Sequence, residues 1–505
     1  MQRTRRKHRK PRKGFDFRRA RTKLAVCAAA LLCVLPALAA ESPTASASPT
    51  RPLAVTLTFD DGNADQMNAL PILQKYNMKG TFYIISGSVG APGYLTQADL
   101  QTIAGAGNEI GGHTVTHPDL ATVPADEAKR QICNDRAALA GLGYSVTSFA
   151  YPYASLTTAV KDTARTCGYN SARGLGDIAS AHGCAGCPAA ETTPPRDAFE
   201  LRALDEDDNT WTLEQMQSAV TAAENTGGLL TFTFHHVCDG TGCDELSIPT
   251  TRLDQFLSWL STRTSVGTTV KTMNEVIGGT VKPIVTAPAS TNTTLANTSL
   301  ESSTSGTGFP DCYMPGGYGG NTPTWTRTTD AHTGTSAERL DVTNYTDGDA
   351  KLLPTFDLGA CTPAVTAGST YTVGVWYKST AITQFALYYR NTQGFWQYWT
   401  SGPWLAPAAN WTQGTFTTPP APADAVGMSY GLALIANGSL TTDDYSFTAG
   451  SGAAAAAAIQ ASPTSPRRFA VPSRNSLKAG VFGKHAKPLV PSKPGQVIAP
   501  AEPGD

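Results

Sequence analysis

Long apolar runs are almost absent from this chain. The one run of note, Leu24 to Leu38, covers about 15 residues, short of the roughly 20 that a bilayer span needs. No other stretch is long and apolar enough for a helix to cross a membrane, so a bundle of membrane-spanning helices is excluded. The run follows a long basic stretch and ends in Ala37-Leu38-Ala39-Ala40, the layout of a secretory signal peptide over residues 1–40. An uncleaved N-terminal anchor is the alternative. Arg18-Arg19 hints at twin-arginine export only weakly, because the positions after the pair are not apolar.

A basic excess is missing too. Net charge is −1 overall, but the ends distort it. Residues 1–40 hold 12 Lys/Arg against one acid and residues 450–505 hold seven against two, leaving 20 basic and 37 acidic residues for 41–449. A body carrying −17 excludes nucleic acid as the natural partner. Nor is there an odd cysteine. Cys27 and Cys33 fall in the signal segment, and the other eight of ten suit an oxidising compartment. Cys312 and Cys361 are alone in their region and are expected to pair. Cys133, Cys167, Cys184, Cys187, Cys238 and Cys243 allow fifteen pairings. Cys184/Cys187 with Cys238/Cys243 could instead form a zinc knuckle.

What is present divides along the chain. Residues 41–51 read as a flexible leader. From 52 to 283, strand-like runs (Ala54–Phe59, Gly80–Ile85, Ser148–Tyr151, Leu229–Phe234) alternate with helical patterns. The helical patterns cover 64–76, 96–106, 124–141, 157–167, 213–225 and 251–264. This alternation predicts an α/β domain with a parallel sheet, open or closed into a barrel, and a ligand site at the C-terminal strand ends. Residues 284–298 read as a Thr/Ala/Pro/Ser linker with few contacts across it, so that each side should own its core. From 299 to 449 helix signal is lacking, and short alternating segments predict an all-β sandwich. Residues 450–505 form a basic, Pro/Ser-rich tail with too little apolar content to fold alone.

Two motifs carry chemistry. Thr58-Phe59-Asp60-Asp61-Gly62 ends an alternating pattern (Leu53, Val55, Leu57, Phe59), which puts two adjacent carboxylates where a strand meets a loop. Some fifty residues on, His113-Thr114-Val115-Thr116-His117 sets two imidazoles four apart, one helical turn, able to face a common point. Two imidazoles and a carboxylate are a recurrent ligand set for a catalytic zinc-type ion with one position open to water. The second aspartate is then free to act as a base. Either motif alone would pass as an acidic turn or a pair of surface histidines. Together, each bounded by glycine, they point to a metal site.

At these residues the chain resembles the polysaccharide deacetylases, the family sharing the NodB homology domain. The resemblance spans about Pro52 to Pro283 and includes Tyr151-Pro152-Tyr153 and the strand Leu229–Phe234 ending in His235-His236. The acidic stretch Asp205–Asp208 with Trp211 is only a loose match to a further motif. The resemblance implies an irregular, incomplete (β/α) barrel. It implies one divalent ion, zinc or else cobalt or nickel, held by Asp61, His113 and His117, with Asp60 as general base. Successive strand residues face opposite sides, so only one of His235 and His236 reaches the site; the resemblance assigns His235, which directly follows the apolar strand as in the family motif, to protonate the leaving amine. The Tyr153 backbone N–H would stabilise the developing oxyanion. Ala150 stands where the family has an arginine contacting the base; Arg173 and Arg202 are candidate substitutes. The implied substrate is an acetylated polysaccharide, whether chitin, peptidoglycan or acetylated xylan. A non-catalytic surface binding protein and a small-molecule amide hydrolase are the rivals.

The sandwich resembles jelly-roll carbohydrate-binding modules at Asn297–Glu301 and Asp443–Phe447. Its clustered aromatics, Trp396 and Trp399 above all, are candidates to stack on sugar rings, whereas Trp376, Tyr388 and Trp411 read as core. A secreted, possible wall-associated monomer is expected.

Overall fold

The computed structural model describes residues 51–240, 243–305 and 307–450. The expected signal peptide, most of the leader and the basic tail lie outside them. The first domain carries strands β1 (Leu53–Phe59), β2 (Thr81–Ile84), β3 (Glu109–Gly112), β4 (Ser148–Ala150), β5 (Ser171–Arg173) and β6 (Gly228–Phe234). Two short strands, β7 (His236–Val237) and β8 (Ser247–Ile248), pair with each other, and β9 (Thr268–Val270) pairs with the start of β1. Helices α1 (Ala69–Lys75), α2 (Gln97–Gly105), α3 (Ala125–Gly141), α4 (Thr158–Thr166), α5 (Leu213–Glu224), α6 (Thr250–Ser261) and α7 (Met273–Ile277) intervene. Thr96, Thr212 and Thr272 open α2, α5 and α7 with reciprocal capping boxes, which satisfy amides at the helix starts.

The main sheet is parallel in the order β5-β4-β3-β2-β1-β6. Between β5 and β6 the described chain makes isolated bridges, Arg173 with Leu201, Glu191 with Leu229 and Glu206 with Thr233, so the barrel closes irregularly. The strands are buried on both faces, and Val55, Leu57, Phe59, Phe82, Phe149 and Phe232 form the core with the inward faces of the helices.

The second domain is a sandwich of two five-stranded antiparallel sheets. Its strands are β10 (Tyr313–Tyr318), β11 (Thr322–Thr328), β12 (Ala337–Thr343), β13 (Asp349–Pro354), β14 (Tyr371–Ser379), β15 (Thr383–Asn391), β16 (Trp396–Leu405), β17 (Ala408–Thr417), β18 (Ala425–Leu434) and β19 (Gly438–Ala449). They run β10-β13-β18-β15-β16 and β11-β12-β19-β14-β17, around a core that includes Val373, Val375, Phe385, Leu387, Tyr430 and Leu432.

Several expectations are corrected here. Trp396 is only 3% exposed; its Nε1 donates to Asp357 O at 3.2 Å and its ring stacks on Phe356, so it offers no face to a sugar. Trp399 is half-buried at the margin of the core. Trp376 and Trp411 are partly exposed rather than core: Val373, Val375 and Tyr377 take the inward positions of β14, and Trp376 faces out to stack on His332 at 3.8 Å. The eight described cysteines pair as Cys133–Cys167, Cys184–Cys187, Cys238–Cys243 and Cys312–Cys361, which removes the zinc-knuckle alternative.

The stretch 284–298 is not free of contacts either. Ala287 N donates to Asn134 Oδ1 of α3 at 2.9 Å, and Ser290 Oγ donates to Gly359 O at 2.7 Å. Just before it, Arg136 of α3 holds Lys282 O and Pro283 O at 2.7 and 3.0 Å. An extended segment with no strand partner has its peptide groups met by side chains of the helix instead.

Candidate active site

Each candidate catalytic residue follows the C-terminal end of a strand. Asp60 and Asp61 follow β1, His113 follows β3, Tyr153 follows β4, Arg173 ends β5 and His235 follows β6. Parallel strands delivered side by side thus gather these groups at one mouth. The backbone there is unusual: Asp61, Thr114, His117, Tyr153 and Ala154 all have positive φ, between 51° and 74°. Such conformations persist only where the surroundings fix them.

His113 and His117 converge, but not on a helix. They lie in the loop after β3, where left-handed Thr114 (φ 70°) and His117 (φ 58°) turn the chain so that both rings face inward. Gly112 before them is required by close approach: a Cβ there would fall 2.1 Å from Tyr169 Oη and 2.5 Å from Asp135 Oδ2. Asp135 in turn accepts from Ser86 N and Tyr169 Oη, and burial lifts its carboxyl to about 7.

Asp61 Oδ1 is 3.3 Å from both His113 Nε2 and His117 Nε2, and the two Nε2 atoms are 3.1 Å apart. His113 Nδ1 lies 2.8 Å from Ala150 O, which needs the proton on Nδ1, so that in the neutral ring Nε2 is bare towards the centre. His117 Nδ1 meets Tyr153 Oη at 3.1 Å. Burial alone would raise Asp61, but His117, His113 and His235 hold it far below the usual carboxylate range. Burial, against the pull of Asp61, pushes His117 down to about 4, so its ring is neutral at neutral pH. Asp61 Oδ1 is buried and has no hydrogen-bond donor. A buried carboxylate oxygen and two converging ring nitrogens fit a divalent cation.

Asp60 is only 4% exposed and pairs through Oδ1 with Nη2 of Arg173, itself buried. Arg173 stands in register with Ala150 on the neighbouring strand and packs its guanidinium over the Tyr83 ring at 4.9 Å. The cation absent at position 150 is therefore supplied one strand over. Arg202 is engaged elsewhere, with Glu191 at 3.2 Å. His235 lies close enough to act electrostatically on Asp61 and His117, and its buried Nδ1 has no hydrogen-bond partner. Its carbonyl is held by Asn63 Nδ2 and Gln66 Nε2, which aim this turn. His236 faces the other way, with Nδ1 2.8 Å from Asp65 Oδ2. Sequence reasoning missed Gln131 of α3, whose Oε1 accepts from Val115 N (3.1 Å) and Thr116 N (2.9 Å) behind the histidine loop.

Residues 47–172 match the polysaccharide deacetylase family. A bifunctional xylanase/deacetylase of Pseudobutyrivibrio xylanivorans is 33% identical over 104 residues, 20% of this chain and 17% of that protein. A peptidoglycan-N-acetylglucosamine deacetylase of Bacillus cereus is 34% identical over 105 residues, 20% of this chain and 37% of that one. The chain spans less than half the length of these relatives. Among solved structures, a family 4 acetyl xylan esterase from Clostridium thermocellum aligns with a TM-score of 0.32 at 20% identity, over 44% of this chain and 89% of that one. Over residues 47–172, which take in β1 to β4 and most of β5 but not β6, the chain is similar to the polysaccharide deacetylases.

Proposed function

We propose that the chain is an exported, metal-dependent hydrolase that removes N-acetyl groups from a polysaccharide such as chitin or peptidoglycan. The observation that carries this is the convergence of Asp61, His113 and His117, with Asp60 and His235 beside them and not among the ligands. Zinc is the proposed ion, with cobalt and nickel as alternatives; when bound it supplies Lewis acidity and acidifies water.

The chain's own groups do the rest. Asp60, oriented by Arg173, accepts a proton from the attacking water. The Tyr153 peptide N–H faces the oxygen on which negative charge develops, while the Tyr153 hydroxyl steadies the His117 ring. His235 delivers a proton to the departing nitrogen, a poor leaving group without it. Ester cleavage on acetylated xylan uses the same groups and makes less demand on His235, because an alcohol leaves more readily than an amine. The acidic body and the paired cysteines support an exported protein acting on a neutral polymer. Trp399 remains the proposed stacking ring of the second domain.

The test is acetate release from N-acetylglucosamine oligomers, peptidoglycan and acetylated xylan, each with zinc or cobalt added. Release from either of the first two supports amide hydrolysis. Release from xylan alone makes the chain an esterase, and release from none removes the proposal.

A further inference from the structure

The second domain reaches the back of the histidine loop. Val115, between His113 and His117, is buried. A Cβ added at Gly394 would sit 2.8 Å from Val115 Cγ1 and 3.7 Å from Leu358 Cδ2. Gly394, at φ 88°, belongs to the turn joining β15 to β16, so this turn of the sandwich presses on the loop.

A buried polar chain runs beside that contact. Gln131 accepts from Val115 N and Thr116 N, and its Nε2 donates to Thr116 Oγ1 at 2.7 Å and to Glu127 Oε1 at 2.9 Å. Glu127 Oε1 also accepts from Leu358 N of the second domain at 2.7 Å, while Oε2 takes Arg130 Nε at 3.1 Å. The turn that presents Leu358 is itself fixed. Asp357 Oδ1 accepts from Gly359 N and Thr362 Oγ1, Asp357 O accepts from Arg390 Nη1 and Trp396 Nε1, and Cys361 is bonded to Cys312. Glu127 and Gln131 are fully buried, where a lost hydrogen-bond partner is costly.

We propose that the β-sandwich is a positioning element of the metal centre. Leu358 N, acting through Glu127 and Gln131, and the Gly394 turn, acting through Val115, hold the loop that carries His113 and His117. The left-handed backbone at Thr114 and His117 is held on one side by Ser86 N and Gly87 N, which donate to Thr114 O and Val115 O, and on the other by these contacts from the second domain. This also explains why Trp396 is buried: it braces the Leu358 turn. The proposal rests on the reading of Asp61, His113 and His117 as a metal site.

The experiment measures Zn²⁺ affinity of the full-length protein by chelator competition, with near-UV circular dichroism as the check on folding. Glu127→Leu removes the acceptor shared by the two domains, Glu127→Gln keeps an acceptor oxygen there, and Gly394→Ala disturbs the Val115 contact from the second domain. Wild type should bind one equivalent. Glu127→Leu and Gly394→Ala should bind about tenfold more weakly, the size expected for loss of a group supporting ligands, and Glu127→Gln should return most of the affinity. Should Glu127→Leu fail to fold, Gly394→Ala decides. Folded Gly394→Ala with affinity within about twofold of wild type overturns the proposal while leaving the metal site standing. A wild type that binds no zinc overturns both.

Discussion

Arg173 and Asp60 form a buried ion pair across the barrel mouth, although Arg173 comes from β5 and Ala150, where the resemblance in sequence implies a cation, is one strand away. The pair keeps Asp60, the proposed base, oriented by a charge-assisted hydrogen bond. Arg173→Ala should lower turnover by about 10–100-fold while leaving bound metal unchanged, since Arg173 touches the base and no ligand. Arg173→Lys should fall between, because a lysine brings charge without the planar fork. Normal turnover in Arg173→Ala would remove Arg173 from the account.

The two adjacent histidines should behave differently. His235→Ala is expected to lose turnover by about 10²–10⁴-fold on an amide substrate with metal retained. His236→Ala breaks only the contact with Asp65 and should stay close to wild type in turnover. The reverse pattern, read from acetate release, would exchange their roles.

Stability should fall as the solution is made less acidic because of Glu338. Its carboxylate oxygens are buried without hydrogen-bond donors, Arg327 Nη1 is 4.0 Å away, and burial raises it to about 7. A folded-state pKa above the unfolded value means that the folded chain holds the proton more tightly. The stabilisation is therefore complete below about pH 4.5 and is lost as pH rises towards 7, by at most about 3 kcal/mol. Glu338→Gln should flatten this slope between pH 5 and 7 in denaturant titrations; an unchanged slope would mean that Glu338 is charged throughout.

The motif residues were legible because each sits directly after a strand: Asp60 and Asp61 after β1, His235 after β6. The spacing of His113 and His117 was legible but its cause was not. A four-residue interval reads as a helical turn, whereas the loop reaches the same convergence through left-handed Thr114 and His117. The strands β3 and β5 escaped notice because they are four and three residues long, and β3 ends in two glycines, so there is no alternation to read. Arg173 could be named as a candidate but not placed, since the register of β5 against β4 is a tertiary fact. Glu127, Gln131 and Asp135 fall at intervals of four on α3 and look in sequence like a solvated stripe. All three are buried, facing the histidine loop and the second domain. The same blindness applied to Trp396, whose aromatic neighbours suggested an exposed cluster while the packed turn at Asp357 buries it.

In the proposed site Asp61, His113 and His117 hold the ion and Asp60 does not. The most direct measurement compares metal content and acetate release for wild type, His117→Ala and Asp60→Asn after chelation and reloading with zinc. Wild type should carry one zinc and release acetate, His117→Ala should do neither, and Asp60→Asn should keep a full complement of zinc with turnover reduced by about 10²–10⁴-fold. Zinc retained by His117→Ala, or full turnover in Asp60→Asn, would contradict that assignment.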